Sequence, residues 1–420
     1  MATPHLNGSV APVAPCTPPS DAEPAERSVA IVRIAFVSTY PPRRCGIATF
    51  THNLAAATGS REVVALHPAG QTLPYPIEVH HRIRRDEPGD YPHAARSLDA
   101  CVDVVSIQHA DGLWGGDDGS HLIDFVRALR VPSVATLHAV LPNPTPGQRA
   151  VVTELVAHAD AAVVLTRAAG ALLTSAYGVD AGRIRVIPHG VPDLPLVDPD
   201  TVKPALGVAG RTVALSFGLL EPGKGFELAI DALPAVVAEN PTLLYAIVGA
   251  THPDTIRQDG EAYRTSLVER VRAHGLGKHV QFVDRFVGRV ELTRWLEAAD
   301  VFVTPSSDPG RTASGTLAYA MGAGRAIVST ADAAAADLLA DGRGMLVQPG
   351  SAAALAAAMN QVLGDPELRA VLGRRAYERS RGAVWSAVAA EYRDLFARAA
   401  ERPRRATTLG ALAPLATVVA

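Results

Sequence analysis

Lysine is nearly absent from this chain. Only three of its 39 Lys and Arg residues are lysines, Lys203, Lys224 and Lys278, so arginine is the default cation and each lysine asks for a reason. Cysteine is scarce too. Cys16, Cys45 and Cys101 lie far apart with no CxxC or metal-ligand spacing, which excludes a disulfide framework or a zinc module and fits reduced thiols in a reducing compartment. There is no excess of positive charge: the net charge is −3, which gives no reason to expect a nucleic-acid partner. Long apolar runs are missing, and the apolar stretch 408–420 is too short to span a bilayer as a helix. The first thirty residues have no basic segment leading into an apolar one. They are rich in Pro, Ala and Ser and read as a disordered tail. HExxH, GxSxG, the P-loop and a well-placed GxGxxG are all absent, which disfavours metalloprotease, serine hydrolase, ATP-hydrolysing and nicotinamide-dependent chemistry.

What is present is a regular alternation. A length of 420 residues with 48% hydrophobic and 19% charged residues suggests a globular chain of about two domains. Short apolar runs at 32–39, 62–66, 102–108, 133–138, 161–166 and 183–187 are mostly separated by helical stretches, the pattern of a doubly wound parallel sheet. Residues 190–204 hold four prolines and lose the periodicity, as an interdomain linker would. A second series follows at 212–217, 243–248, 279–283, 301–304, 326–329 and 345–347. The fold class is thus α/β, with two Rossmann-like domains facing across a cleft. Ligands of such sheets bind beyond the C-terminal strand edges, so the loops after the strands are the places to search.

Several of these loops carry candidate groups. Lys224 lies in Gly218-Leu-Leu-Glu-Pro-Gly-Lys-Gly225, where glycines let the backbone approach an anion and an ammonium adds a point charge. Ser314, Gly315 and Thr316 open a helix and would present N–H and hydroxyl groups, so with Lys224 they could hold a diphosphate. Gly46, ending Tyr40-Pro-Pro-Arg-Arg-Cys-Gly46, could bring backbone N–H groups to a phosphate, or the prolines could simply stiffen a turn. His109, Asp111 and Trp114 share the loop after the 102–108 strand and could contact a sugar. The alternative is an ordinary polar loop whose Trp114 packs inward. His138 ends the next strand and would point into the cleft. His189 faces the cleft or caps the hinge. Arg82, Arg84 and Arg85 form a basic stretch, read as a solvated turn because Asp86 and Glu87 follow.

The order and spacing of four segments resemble the nucleotide-sugar-dependent glycosyltransferases of the GT-B fold, specifically the retaining family 4. The segments are Tyr40-Pro-Pro with Gly46, Val186-Ile-Pro-His-Gly190, the glycine-flanked Lys224 loop, and Ala299-Asp-Val-Phe-Val-Thr-Pro-Ser306. Gln108-His109, Gly115-Gly116, Ser314-Gly-Thr-Leu-Ala-Tyr319 and Gly322-Ala-Gly324 look like one bacterial branch of that family. The resemblance covers residues 33–398.

The resemblance implies a map. Residues 1–30 are a tail, 31–190 an acceptor domain, 191–205 a linker and 206–382 a nucleotide-sugar domain. Residues 383–401 form a helix crossing back to the first domain, and 402–420 a second tail. Lys224 would neutralise the donor diphosphate while the Gly46 loop approaches it from across the cleft. His138 would lie near the transferred sugar. No metal or other cofactor would be needed beyond the nucleotide sugar as co-substrate, because side-chain cations and helix dipoles do that work. Four positions depart from the family. Leu219 stands where an arginine is usual, Cys45 precedes Gly46 where a Gly-Gly pair is common, and Arg311 and Tyr319 stand where two glutamates are usual. Arg311 is expected to replace the missing cation, and Tyr319 to stack or hydrogen-bond near the ribose. The expected activity is hexose transfer from a GDP-mannose or UDP-glucose type donor to a carbohydrate or glycolipid acceptor, in the cytoplasm or peripherally at the inner membrane face. A non-catalytic nucleotide-sugar or glycan binder is the alternative, and a phosphorylase a more distant one.

Overall fold

A computed structural model describes residues 32–405. The tail expected over 1–30 lies outside the described residues, as does all of the second tail beyond residue 405. The chain begins with β1 (Ile34–Ser38), α1 (Gly46–Thr58), β2 (Glu62–His67), β3 (Val79–Arg84), α2 (Asp90–Leu98) and β4 (Val104–His109). It continues through α3 (His121–Ala128), β5 (Ser133–Leu137), α4 (Pro146–His158), β6 (Ala161–Val164), α5 (Arg167–Tyr177) and β7 (Ile184–Val186). After a short α6 (Pro199–Val202) come β8 (Thr212–Phe217), α7 (Phe226–Glu239), β9 (Leu243–Val248), α8 (Pro253–Asp259), α9 (Ala262–Ala273) and β10 (Val280–Val283). The last elements are α10 (Arg289–Ala298), β11 (Val301–Thr304), α11 (Gly315–Gly322), β12 (Ala326–Thr330), α12 (Ala333–Leu338) and β13 (Met345–Val347). Three helices close the chain: α13 (Ala352–Gly364), α14 (Pro366–Ser380) and α15 (Trp385–Ala400).

The strands form two parallel sheets, ordered β3-β2-β1-β4-β5-β6-β7 and β10-β9-β8-β11-β12-β13. Every residue of β1, β4 and β9 is buried, because helices cover both faces of a parallel sheet and leave no side of the strand for water. Helix starts follow local chemistry. Thr145 and Gln148 form a capping box around Pro146 at the start of α4, and Thr166 caps α5, each satisfying N–H groups that the helix itself cannot.

The basic stretch read as a turn proves to be an edge strand. His80, Arg82 and Arg84 of β3 point outward while Ile83 is buried, a period of two that a run of polar residues concealed. Arg84 pairs with Asp90 at 2.8 Å. The linker region contains α6, and there Lys203 is buried between Asp200 at 2.6 Å and Asp300 at 2.8 Å. One of the three lysines is therefore a structural tie between the linker and the second domain.

Helix α15 returns to the first domain. Phe396 meets Phe36 edge-on at 6.1 Å, Tyr392 shares a hydrogen bond with Thr136 at 3.0 Å, and Phe50, Leu54, Tyr392 and Phe396 belong to one buried cluster. Each large side chain buried there contributes about 1.5–3 kcal/mol. The outgoing and returning crossings are paired: the Val191 N–H donates to the Ala383 carbonyl at 2.8 Å. Among the described residues no helix is long and apolar enough to cross a membrane.

Candidate active site

Two loops of the second domain border a cavity of about 150 Å³ at the C-terminal ends of β8 and β11. The first leaves β8 at Gly218 and reaches α7 through Gly223 and Gly225, all three at positive φ. A side chain at Gly225 would run into the Pro305 carbonyl, so the two loops lie backbone on backbone. The Ser307 N–H donates to the Gly223 carbonyl at 3.1 Å and locks the pair. Lys224, Thr304, Arg311, Ser314, Gly315 and Thr316 all line the cavity.

The second loop ends in a helix start aimed at the cavity. Ser314 is the cap of α11, and its Oγ accepts the Leu317 N–H at 3.3 Å. The N–H groups of Gly315 and Thr316 have no intrahelical acceptor and face a region where the helix dipole favours an anion. Lys224 stands opposite, half-exposed, with Nζ 3.2 Å from a Glu221 carboxylate oxygen. That pairing is between two partly exposed side chains and is weak, so an incoming diphosphate can take the ammonium over.

Arg311 is differently placed. Its Nε and Nη2 donate to Asp332 Oδ2 at 3.0 and 2.6 Å, and Nη2 also reaches Thr304. Asp332 is buried and its other oxygen caps α12 through the Ala335 N–H at 2.8 Å. The expectation that Arg311 supplies a free cation in place of the one missing at Leu219 is corrected here. Its charge borders the cavity, but a buried carboxylate already compensates it.

Across the cleft, rings of the first domain and of the returning α15 converge on Phe50. Phe50 meets His138 at 4.6 Å, His189 at 5.1 Å and Trp385 at 5.3 Å. His138 Nε2 lies 2.8 Å from Gln108 Oε1, and Gln108 Nε2 donates to Ser106 Oγ at 2.9 Å. This places the proton of His138 on Nε2. His189 Nδ1 donates to the Gly190 carbonyl at 2.8 Å. Its Nε2 then carries a lone pair, and it sits where a side chain on Gly315 would be, 2.7 Å from that position. Burial holds His138 well below the usual histidine range, at about 3, helped by the nearby His189 and His109. Burial likewise lowers His189 to about 4. Both are neutral at pH 7, so they act as hydrogen-bonding groups rather than cations.

Other expected residues land elsewhere. Trp114 is 1% exposed and packs against Tyr91 and Phe125 inside the first domain, so its face is closed to a sugar. The inward-packing alternative holds. His109 is 6% exposed, and its backbone carbonyl accepts the backbone N–H of His138 at 2.8 Å as part of the β4–β5 pairing. Asp111 is exposed at the rim and accepts from Gln148 at 2.8 Å, bracing the start of α4. Gly46 is the first residue of α1, exposed and outside the cavity wall, with Cys45 Sγ accepting the Ala48 N–H above it. Tyr319 does not line the cavity either. Its hydroxyl accepts from Asn53 of α1 at 3.3 Å, and its ring lies 5.8 Å from His189 and 6.2 Å from Phe217. The tyrosine is an interdomain strut, and Phe217 occupies the cavity wall beside it.

Two site-forming residues gave no signal in sequence. Thr312 Oγ1 accepts the Val140 N–H at 2.9 Å, and its carbonyl accepts from Thr166 at 2.7 Å. Asp337 accepts the Arg167 N–H at 2.6 Å. Both join the domains along one side of the cleft. No cluster of three or more His, Cys, Asp or Glu among the described residues is placed to hold a metal ion.

Residues 44–193 match the family model described as Glycosyltransferase Family 4, and residues 200–379 that described as Glycosyl transferases group 1. The D-inositol 3-phosphate glycosyltransferase of Kineococcus radiotolerans is 30% identical over 264 residues, 59% of this chain and 59% of that protein. The phosphatidyl-myo-inositol mannosyltransferase of Mycolicibacterium smegmatis is 32% identical over 222 residues, 51% of each. The chain thus spans between half and three-fifths of the length of these curated relatives. Among solved structures, Anabaena Alr3699/HepE in complex with UDP-glucose aligns with a TM-score of 0.70 at 18% identity, over 87% of this chain and 100% of that one.

Proposed function

The chain belongs to the family 4-like glycosyltransferases of the GT-B fold, and on that premise we propose that it transfers a hexose from a nucleoside-diphosphate sugar to a carbohydrate or glycolipid acceptor, with retention and without a metal ion. The observation that carries this reading is the cavity in which Lys224 stands opposite the free N–H groups of Gly315 and Thr316. That arrangement suits two phosphates and puts stabilisation where charge develops as the sugar–phosphate bond breaks. In a front-face reaction the acceptor hydroxyl attacks the anomeric carbon as the bond to the diphosphate opens, and the departing phosphate oxygen takes the hydroxyl proton. His138, neutral and held by Gln108, is positioned to hydrogen-bond a sugar hydroxyl rather than to carry charge. The donors named for relatives and neighbours, GDP-mannose and UDP-glucose, support a hexosyl donor, and the inositol acceptors in relatives' names support a polyol or glycolipid acceptor.

A second reading, a non-catalytic binder of nucleotide sugars, draws on one observation. Both cations bordering the cavity already hold a carboxylate, Lys224 through Glu221 and Arg311 through Asp332. A nucleotide-release assay over GDP-, UDP- and ADP-sugars with myo-inositol, inositol phosphate and simple sugars separates the two. Release that depends on an acceptor supports transfer. Saturable donor binding with no release across the panel supports the binder.

A further inference from the structure

A second groove, of about 650 Å³, lies on the flank of the nucleotide-sugar domain between α10, β10 and the turn at Leu206. Its apolar side is made by Leu206, Val283 and Trp295, and its polar side by Gly288, Arg289 and Arg294 together with Arg285 and the first-turn carboxylate Glu291. Trp295 is 3% exposed, and its indole Nε1–H has no hydrogen-bond partner. A buried donor left unpaired costs free energy that a ligand acceptor can recover. Gly288 caps α10 without any side-chain hydrogen bond, so the first-turn N–H groups of a ten-residue helix are open where the groove begins. Arg289 and Arg294 make no ion pair among the described residues, whereas the neighbouring Arg285 is taken up by Glu291 at 2.5 Å. Uncapped helix start, two unpaired guanidinium groups and an orphan indole donor therefore meet beside an apolar wall.

We propose that this groove is a second ligand site, distinct from the donor cavity, for an organic phosphate whose ester group is apolar. The phosphate would sit on the α10 N-terminus between Arg289 and Arg294, where helix N–H groups and guanidinium forks both suit a dianion. The ester chain would lie along Leu206 and Val283, with the Trp295 N–H reaching a phosphate or ester oxygen. A groove of this volume holds a ligand of metabolite size.

The three tryptophans give a direct test. The full chain is labelled with 15N-tryptophan, and Trp295→Phe identifies its resonance by loss. Octyl phosphate is titrated, with inorganic phosphate and octyl glucoside as the anion-only and apolar-only probes. The expected result is a saturable shift of the Trp295 indole signal by octyl phosphate, with half-saturation raised about fivefold or more in Arg294→Gln. Octyl glucoside leaves the signal in place, and inorganic phosphate needs a higher concentration. Trp385, which borders the cleft cluster, stays put, and saturating UDP does not reverse the shift. The proposal is overturned by no saturable shift, by an equal response to octyl glucoside, by an Arg294→Gln protein that binds unchanged, or by displacement with UDP.

Discussion

The carboxylate of Asp337, on α12 of the second domain, accepts the Arg167 N–H at 2.6 Å and so caps α5 of the first domain from across the cleft. A helix start in one domain is thereby completed by the other. Asp337→Ala leaves that N–H group to water and removes one tie holding the domains together, at a cost of about 1 kcal/mol. Urea denaturation would measure the loss. Small-angle scattering should show a larger radius of gyration without nucleotide, and an unchanged radius would mean the cap does not hold the cleft.

Lys224→Ala is expected to reduce turnover about a hundredfold with the fold intact. Lys224→Arg should recover part of that loss, because charge rather than shape is what the site needs. Initial rates of nucleotide release across the three proteins are the measurement, and full activity in the alanine variant would remove the diphosphate role.

Gly315 and Gly46 separate two roles for glycine. A side chain at Gly315 meets His189 Nε2 at 2.7 Å, whereas one at Gly46 meets nothing within 4 Å. Gly315→Ala should cost about 1–3 kcal/mol through overpacking and weaken donor binding as His189 shifts. Gly46→Ala should leave stability within experimental scatter. Donor affinity by calorimetry then tells whether the Gly46 backbone approaches the diphosphate at all.

Asp332 carries the only carboxylate that Arg311 contacts among the described residues. Its side chain is 1% exposed. Asp332→Ala strands a guanidinium in the cavity wall and removes the α12 cap, so a loss of about 3–5 kcal/mol is expected. The double variant Asp332→Ala with Arg311→Met should be less destabilised than the single one, read from a double-mutant cycle in urea.

The buried histidines set a pH dependence. His109 and His189 are lowered to about 4 and His138 to about 3 by burial. Below about pH 6.5 the unfolded chain takes up protons at these positions that the folded chain refuses, so stability falls as the pH drops from there toward 3. Above pH 7 they contribute no slope. Denaturation midpoints from pH 8 to pH 4.5 should bend downward below pH 6.5, and His138→Gln with His189→Gln should flatten that bend.

Where residues signal locally, sequence reading located them. The glycines around Lys224 and the Ser314 start of α11 are constraints of φ and capping, and these are written into a few adjacent residues. The parallel strands were legible because burial on both faces leaves continuous apolar runs such as β1 and β9. Trp114 was ambiguous because its burial depends on Tyr91 and Phe125, which other elements bring to it. Tyr319 pairs with Asn53 across the cleft, a contact made only by the way two domains dock. Arg311 looked like a spare cation because its partner, Asp332, lies beyond the intervening β12. β3 was hidden by its composition, since His81 stands between Val79 and Ile83 on the inward side and breaks the apolar alternation there.

The return of α15 has a consequence for how the protein is made. Phe36, Phe50 and Leu54 belong to the first elements synthesised, yet Tyr392 and Phe396 complete their cluster. On the ribosome the second domain can close its core as soon as α14 emerges. The first domain must wait with an apolar face uncovered until the last helix arrives. The core of the first domain is thus completed by residues that lie beyond the whole of the second.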